Sequence, residues 1–278
     1  MKDGMAIDGE GHDDLDPNSE PDRVENEHFA AEALRLVGEA EQEGILLRIL
    51  GSIAYRIHSP GHLHLFAEMA RALTDVDFAA NRSQARLIVP FLEKRGFVQD
   101  KGVTVASEGS RYCFWRDDIG LNVDVFMDEL FFCHRIPFKG RLELDGPTIT
   151  TTDLLLEKMQ IVEINLKDIK DTIVLLLEHP IAADGRDREA IDSSHIAHLL
   201  SGEGGFYYTV TTNLEKVLSY AEHFDAIHDA QREVLRNRVA ELKTIIDKHP
   251  KPVSWKLRAK VGTKVRWYQE VAGKASVY

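Results

Sequence analysis

Ile45-Leu46-Leu47-Arg48-Ile49-Leu50-Gly51-Ser52 is the stretch on which the fold turns. Its run of large aliphatic side chains predicts a short buried strand. Gly51-Ser52 then ends the strand in a bend where a helix can start, with Ser52 suited to cap it. A helix N-terminus is also a ready anion site, so capping and phosphate binding are compatible roles for this turn. Upstream, residues 27–43 carry Phe29, Ala33, Leu36, Val37 and Ala40 at helical spacing, and Gly44 stops that helix.

Working outward, residues 70–80 end in the strand-like Asp75-Val76-Asp77-Phe78, where alternation puts both carboxylates on one face. Ser83 is expected to cap a helix over 84–95, with Pro90 an awkward interior residue and Gly96 its stop. Short strands are expected at 97–99, 104–106 and 111–115. Leu121-Asn122-Val123-Asp124-Val125-Phe126 alternates more cleanly. Residues 152–178 predict two helices broken near Asn165, which with Asp168 resembles a capping arrangement. The charged stretch 180–192 marks a domain boundary. Beyond it the pattern is mainly helical, clearest over 226–248, where Ile227, Val234, Val239, Leu242 and Ile246 suit a core-facing stripe. The expected class is therefore α+β: a mixed sheet flanked by helices over residues 28–180, then a mainly helical region over 181–278.

Asp75, Asp77 and Asp124 carry the chemistry. A carboxylate in mid-strand is costly to bury unless something pairs with it. Three brought together repel one another, and a divalent cation removes that repulsion. Hard oxygen donors of this kind suit Mg²⁺ or Mn²⁺ and the nucleotide phosphates such ions carry. Taken singly, each has a plainer reading: Asp-x-Asp as a solvated turn, Asp124 facing solvent on an edge strand, Gly51-Ser52 as a cap only, Lys158 as a solvated helix lysine.

The order strand, Gly51-Ser52, helix, Asp75-x-Asp77, strands, Asp124 resembles the nucleotidyltransferase superfamily typified by DNA polymerase β. The resemblance covers residues 45–126 at motif level, with the helices to 178 in support. It implies a nucleotidyltransferase-like sheet in which Gly51 and Ser52 contact the triphosphate and Asp75 and Asp77 bind two metal ions. Asp124 would hold the ion that activates an acceptor hydroxyl. The reaction implied is in-line transfer of an NMP from an NTP to a small molecule, RNA or protein, releasing pyrophosphate. The segment Glu157-Lys158-Met159-Gln160, with Lys167-Asp168-Ile169-Lys170-Asp171, is similar to later motifs of abortive-infection and toxin-type members. It would make Lys158 a phosphate counter-charge and Asp171 or Asp168 a secondary site residue. One departure is the interval of about twenty-two residues between Ser52 and Asp75, longer than usual. It contains an inserted loop over 57–64 that would shape acceptor choice or restrict access. A catalytically silent nucleotide-, RNA- or partner-binding module on the same fold is the alternative, with a small protein partner as in toxin–antitoxin pairs.

The remaining composition narrows the classes. Of 278 residues, 44% are hydrophobic and 29% charged, ordinary for a folded soluble chain. No run approaches the ~20 apolar residues of a membrane span. Residues 1–14 lack an apolar signal core, and Cys113 and Cys133 form no CxxC pair, so a cytoplasmic location is expected. The net charge of −12 is unevenly spread. Residues 1–27 hold ten acids against Lys2 and Arg23 and read as a disordered acidic tail. Residues 251–278 hold seven Lys or Arg against Glu270, interleaved with Trp255, Trp267 and Tyr268. That segment suits RNA stacking and phosphate contact. The favoured reading instead packs its indoles on the core with the cations outward. His58, His62 and His64 lack a nearby Cys or further ligand set and read as loop histidines.

Overall fold

The computed structural model describes residues 20–270. In chain order the elements are α1 (Glu20–Gln42), β1 (Leu47–Leu50), α2 (Gly51–His58), α3 (Leu63–Glu68), β2 (Val76–Ala80), α4 (Ala85–Glu93), β3 (Val98–Asp100), α5 (Lys101–Ala106), β4 (Arg111–Arg116), β5 (Leu121–Met127), β6 (Glu129–Phe131) and β7 (Arg135–Pro137). There follow α6 (Thr151–Met159), α7 (Leu166–Glu178), β8 (Ile181–Ala182), β9 (Ile191–Asp192), α8 (Ser193–Gly202), α9 (Gly204–Ala221), α10 (Asp229–Lys248) and α11 (Val253–Val261). The chain is α+β, built on a mixed sheet in the order β1-β2-β5-β4-β3.

Only the β2–β5 pair in that sheet is parallel; β1–β2, β5–β4 and β4–β3 are antiparallel. Every residue of β1 is buried, as in a strand covered on both faces, Arg48 included, whose Nε donates to the Leu142 and Asp145 carbonyls at 2.9 and 2.6 Å. Its outer edge is closed by the segment after Gly146, where Ile49 exchanges backbone hydrogen bonds with Pro147 and Ile149 at 3.0 and 2.9 Å. α1 lays Phe29, Ala33, Leu36, Val37 and Ala40 into the core, the five residues its periodicity singles out. Gly44, at φ +72°, turns the chain so that the Ile45 N–H reaches the Ala40 carbonyl at 2.8 Å. α6 and α7 pack beneath α2, and α8, α9 and α10 pack against them in turn. One apolar cluster runs from Phe29 to Ile246, continuous across the stretch 180–192, where β8 and β9 form a small parallel ladder.

Several local expectations need correction. α1 begins at Glu20, inside the stretch 1–27 that reads as a tail; the remainder of that tail, residues 1–19, lies outside the described residues. Ser83 does not cap α4: it sits in a short 3-10 turn, Arg82–Gln84, and α4 starts from Gln84 without a side-chain cap. Residues 104–106 belong to the helix α5 rather than a strand, because Asp100 accepts from the Gly102 and Val103 N–H groups and nucleates a helical turn. α10 starts at Asp229, after Ile227, and presents Leu235 rather than Val234 to the core. Asn165 does cap α7, accepting from the Asp168 N–H at 2.9 Å.

No helix among the described residues is long and apolar enough to cross a membrane. In the C-terminal segment, Trp255 Nε1 donates to the Leu200 carbonyl at 3.2 Å and Trp267 Nε1 to Thr209 Oγ1 at 3.1 Å. Both indoles thus lie against α8 and α9, and Lys251 covers the Tyr207 and Trp255 rings at 5.4 and 5.3 Å.

Candidate functional site

The parallel pairing of β2 with β5 makes Asp77 and Asp124 direct register partners. Residues opposite one another on neighbouring strands point to the same face. Asp75 lies just before β2 and Asp77 just inside it, so their two-residue spacing turns both the same way. All three line one cavity of about 590 Å³, together with Lys158, Glu157 and Asp168. β5 is the central strand of the sheet, so Asp124 does not sit on an edge.

Gly51 stands directly behind the acids. Its φ is +71°, and a Cβ there would lie 2.6 Å from Asp77 Oδ2, so both the bend and the close approach demand glycine. Its N–H donates to Glu157 Oε2 at 3.0 Å. Gly51 and the buried Ser52 are not among the cavity-lining residues. The phosphate-cradling role is therefore not supported by exposure of this turn: Glu157 already takes the Gly51 amide, and Ser52 is buried.

The electrostatics of the cavity are unbalanced. Burial, then the charges of Asp75 and Asp124, push the Asp77 carboxyl well above the usual aspartate range. Burial raises Glu157 as well, against the opposing pull of Lys158. For Lys158, burial favours loss of the proton, but Glu157, Asp168 and Asp171 outweigh it and hold the ammonium charged. Lys158 Nζ lies 2.9 Å from Glu157, 3.3 Å from Asp168 and 3.9 Å from Asp171.

Asp171 plays a different part from the one expected. It is fully buried, outside the cavity lining, and both its oxygens take the Arg71 guanidinium, at 2.9 and 2.8 Å. Such a bidentate pair is complete without a ligand. One turn earlier, Asp168 does face the cavity.

Three participants have no clear signal in the sequence. Arg111, from β4, pairs with Asp124 and also lines the cavity. Glu157 adds a fourth acid; only its place beside Lys158 hints at it. Tyr268 reaches the cavity from the C-terminal segment, which is tied down by the Gln269 N–H donating to the Cys133 carbonyl at 3.1 Å. Next to the site, burial and the hydrogen bond with Asp124 push the Cys113 thiol up to about 12, which leaves it an inert thiol.

The donor set, carboxylate oxygens only, matches a hard divalent cation in chemistry. Among the described residues, the set of three ligand-type side chains whose atoms all lie within 4.8 Å of one another is instead His58, His179 and Glu189. An ion at the aspartates would thus have to draw them closer than they stand. No family model, curated protein or solved structure matches the chain.

Proposed function

We propose that the chain is a metal-dependent nucleotidyltransferase, moving an NMP unit from an NTP to an acceptor hydroxyl and releasing pyrophosphate. The observation that supports this best is the convergence of Asp75, Asp77 and Asp124 on one cavity with the protonated Lys158, Asp77 and Asp124 being ladder partners. Asp75, Asp77 and Asp124 would hold Mg²⁺ or Mn²⁺, which when bound supplies positive charge that lowers the pKa of the acceptor hydroxyl and steadies the departing phosphates. Lys158 adds a fixed cation for the triphosphate, kept charged by Glu157, Asp168 and Asp171. Asp171 and Arg71 act through Lys158 as positioning residues. Glu157 fixes the Gly51 bend against Asp77.

Titration calorimetry with Mg²⁺ and each NTP is the test. Binding is expected to require Mg²⁺ and to disappear in Asp75→Ala and Asp77→Ala while both variants remain folded. Metal-dependent nucleotide binding that survives both substitutions rules the reading out. One observation favours the silent module as a second reading: the Arg111 guanidinium already neutralises Asp124. Nucleotide binding without pyrophosphate release, over a broad panel of hydroxyl acceptors, would select it.

A further inference from the structure

α2 and α7 both begin near the acidic cavity and both end at a second cluster of ligand-type side chains. His58 is the last residue of α2, and His179 is the C-cap of α7. Both are buried, and their rings meet edge-to-face with centroids 5.7 Å apart. Glu189 reaches in from the loop between β8 and β9, its Oε2 3.6 Å from His179 Nδ1. One ligand-type atom of each of the three lies within 4.8 Å of the other two.

Each ring has one nitrogen engaged by a backbone carbonyl. His179 Nδ1 faces the Glu189 carbonyl at 2.6 Å, and His58 Nε2 faces the Ile149 carbonyl at 3.2 Å and Thr148 Oγ1 at 2.6 Å. A carbonyl only accepts, so those nitrogens carry the protons and the opposite nitrogens are bare lone pairs. This is how metal-binding histidines are oriented by their outer partners. His179 Nε2 is such a lone pair, buried and without a hydrogen-bond partner. Asp145 Oδ2 is also buried and without a hydrogen bond, but it stands on the protonated side of His58, 3.9 Å from Nε2. Native interiors seldom leave an atom such as His179 Nε2 unsatisfied. The converging C-termini of α2 and α7 add partial negative charge that favours a cation.

We propose that His58 Nδ1, His179 Nε2 and the Glu189 carboxylate, turned from its place beside His179 Nδ1, form a zinc-type metal site. Mixed imidazole and carboxylate donors suit Zn²⁺ or Co²⁺ better than the Mg²⁺ expected of an all-oxygen set. An ion here would fasten the β8–β9 loop to the ends of two helices whose other ends lie near the acidic cavity. The inference stands independently of any nucleotide chemistry.

The test is titration of the chelator-treated full chain with Co²⁺ alone. Beyond any Co²⁺ held by the aspartates, one tightly bound Co²⁺ per chain is expected, with the visible ligand-field absorption of a low-coordinate site, displaced by Zn²⁺. Glu189→Gln changes a largely exposed side chain and should fold; it is expected to weaken Co²⁺ binding by about tenfold or more and to abolish the rise in Tm that Zn²⁺ gives the parent chain. His179→Gln should do the same, and Asp75→Ala should leave the Co²⁺ band unchanged. A folded parent chain that shows no Co²⁺ band overturns the proposal, as does a Co²⁺ band unaltered in Glu189→Gln. Should His179→Gln fail to fold, Glu189→Gln decides alone.

Discussion

Asp77 and Asp171 are acidic side chains enclosed by the same half of the molecule, and their surroundings are opposite. Asp171 is met by Arg71 on both oxygens and by Lys158 nearby. Asp77 has Asp75, Asp124 and Glu157 as its nearest charges, with Lys158 the only cation among the main influences on it. A buried charge that is paired from within is part of the fold; one surrounded by like charge at the wall of a cavity either keeps its proton or takes a cation. That contrast separates the structural acid from the proposed site acid better than their positions in the sequence do.

The contrast can be broken by substitution. The largest expected effect on stability is that of Asp171→Ala, which strands the Arg71 guanidinium in the interior and should cost about 3–5 kcal/mol in denaturant unfolding. A loss below about 1 kcal/mol would place Asp171 among weakly coupled surface acids. Gly51→Ala comes next. It forces a side chain into a positive φ and against Asp77, and is expected to cost about 1–3 kcal/mol, read by the same unfolding midpoint.

Asp77→Asn should have the opposite sign, a gain on the order of 1 kcal/mol near neutrality, while Mg²⁺-dependent nucleotide binding is lost. The pH dependence follows from the raised Asp77 and Glu157 carboxyls. Each holds its proton more tightly folded than unfolded, so its stabilising contribution is complete below the ordinary value of about 4 and is lost as pH climbs through the raised folded value. Without divalent ions, the Tm difference between parent and Asp77→Asn should widen in favour of the variant as pH rises; Mg²⁺ should close it. A difference independent of pH would remove Asp77 from the contrast. The smallest stability effect is expected for Arg111→Gln, within about 1 kcal/mol because the pair with Asp124 is partly exposed. Its sharper readout is Mg²⁺ affinity, which should rise once Asp124 is released from its internal cation. Unchanged Mg²⁺ affinity would mean that Arg111 and an ion do not compete for that carboxylate.

Much of the fold was legible because its rules are local. The five-residue apolar stripe of α1, the Gly44 stop, the Asn165 cap and the alternation around Asp124 act within one or two turns of chain. The errors are local too: residues 104–106 look extended by composition, yet Asp100 caps them into a helix, and Val234 and Leu235 are neighbours whose choice depends on the packing of α10. The site was legible as a set of acids but not as an arrangement. Asp168 and Asp171 are equally plausible on paper, and only the position of Arg71 separates them. His58 reads as a loop histidine because its companions, His179 and Glu189, lie far along the chain.

By itself, then, the amino-acid order determined most of the strands and helices, and that Asp77 and Asp124 would fall on strand faces with Asp75 beside them, since alternation and capping need only near neighbours. The tertiary structure alone decided that β2 and β5 pair in parallel with Asp77 opposite Asp124, that Arg111 answers Asp124, and that Glu157 takes the Gly51 amide. Those outcomes rest on register and packing between segments distant in sequence, where the free energy is set by burial and charge pairing that no local pattern encodes.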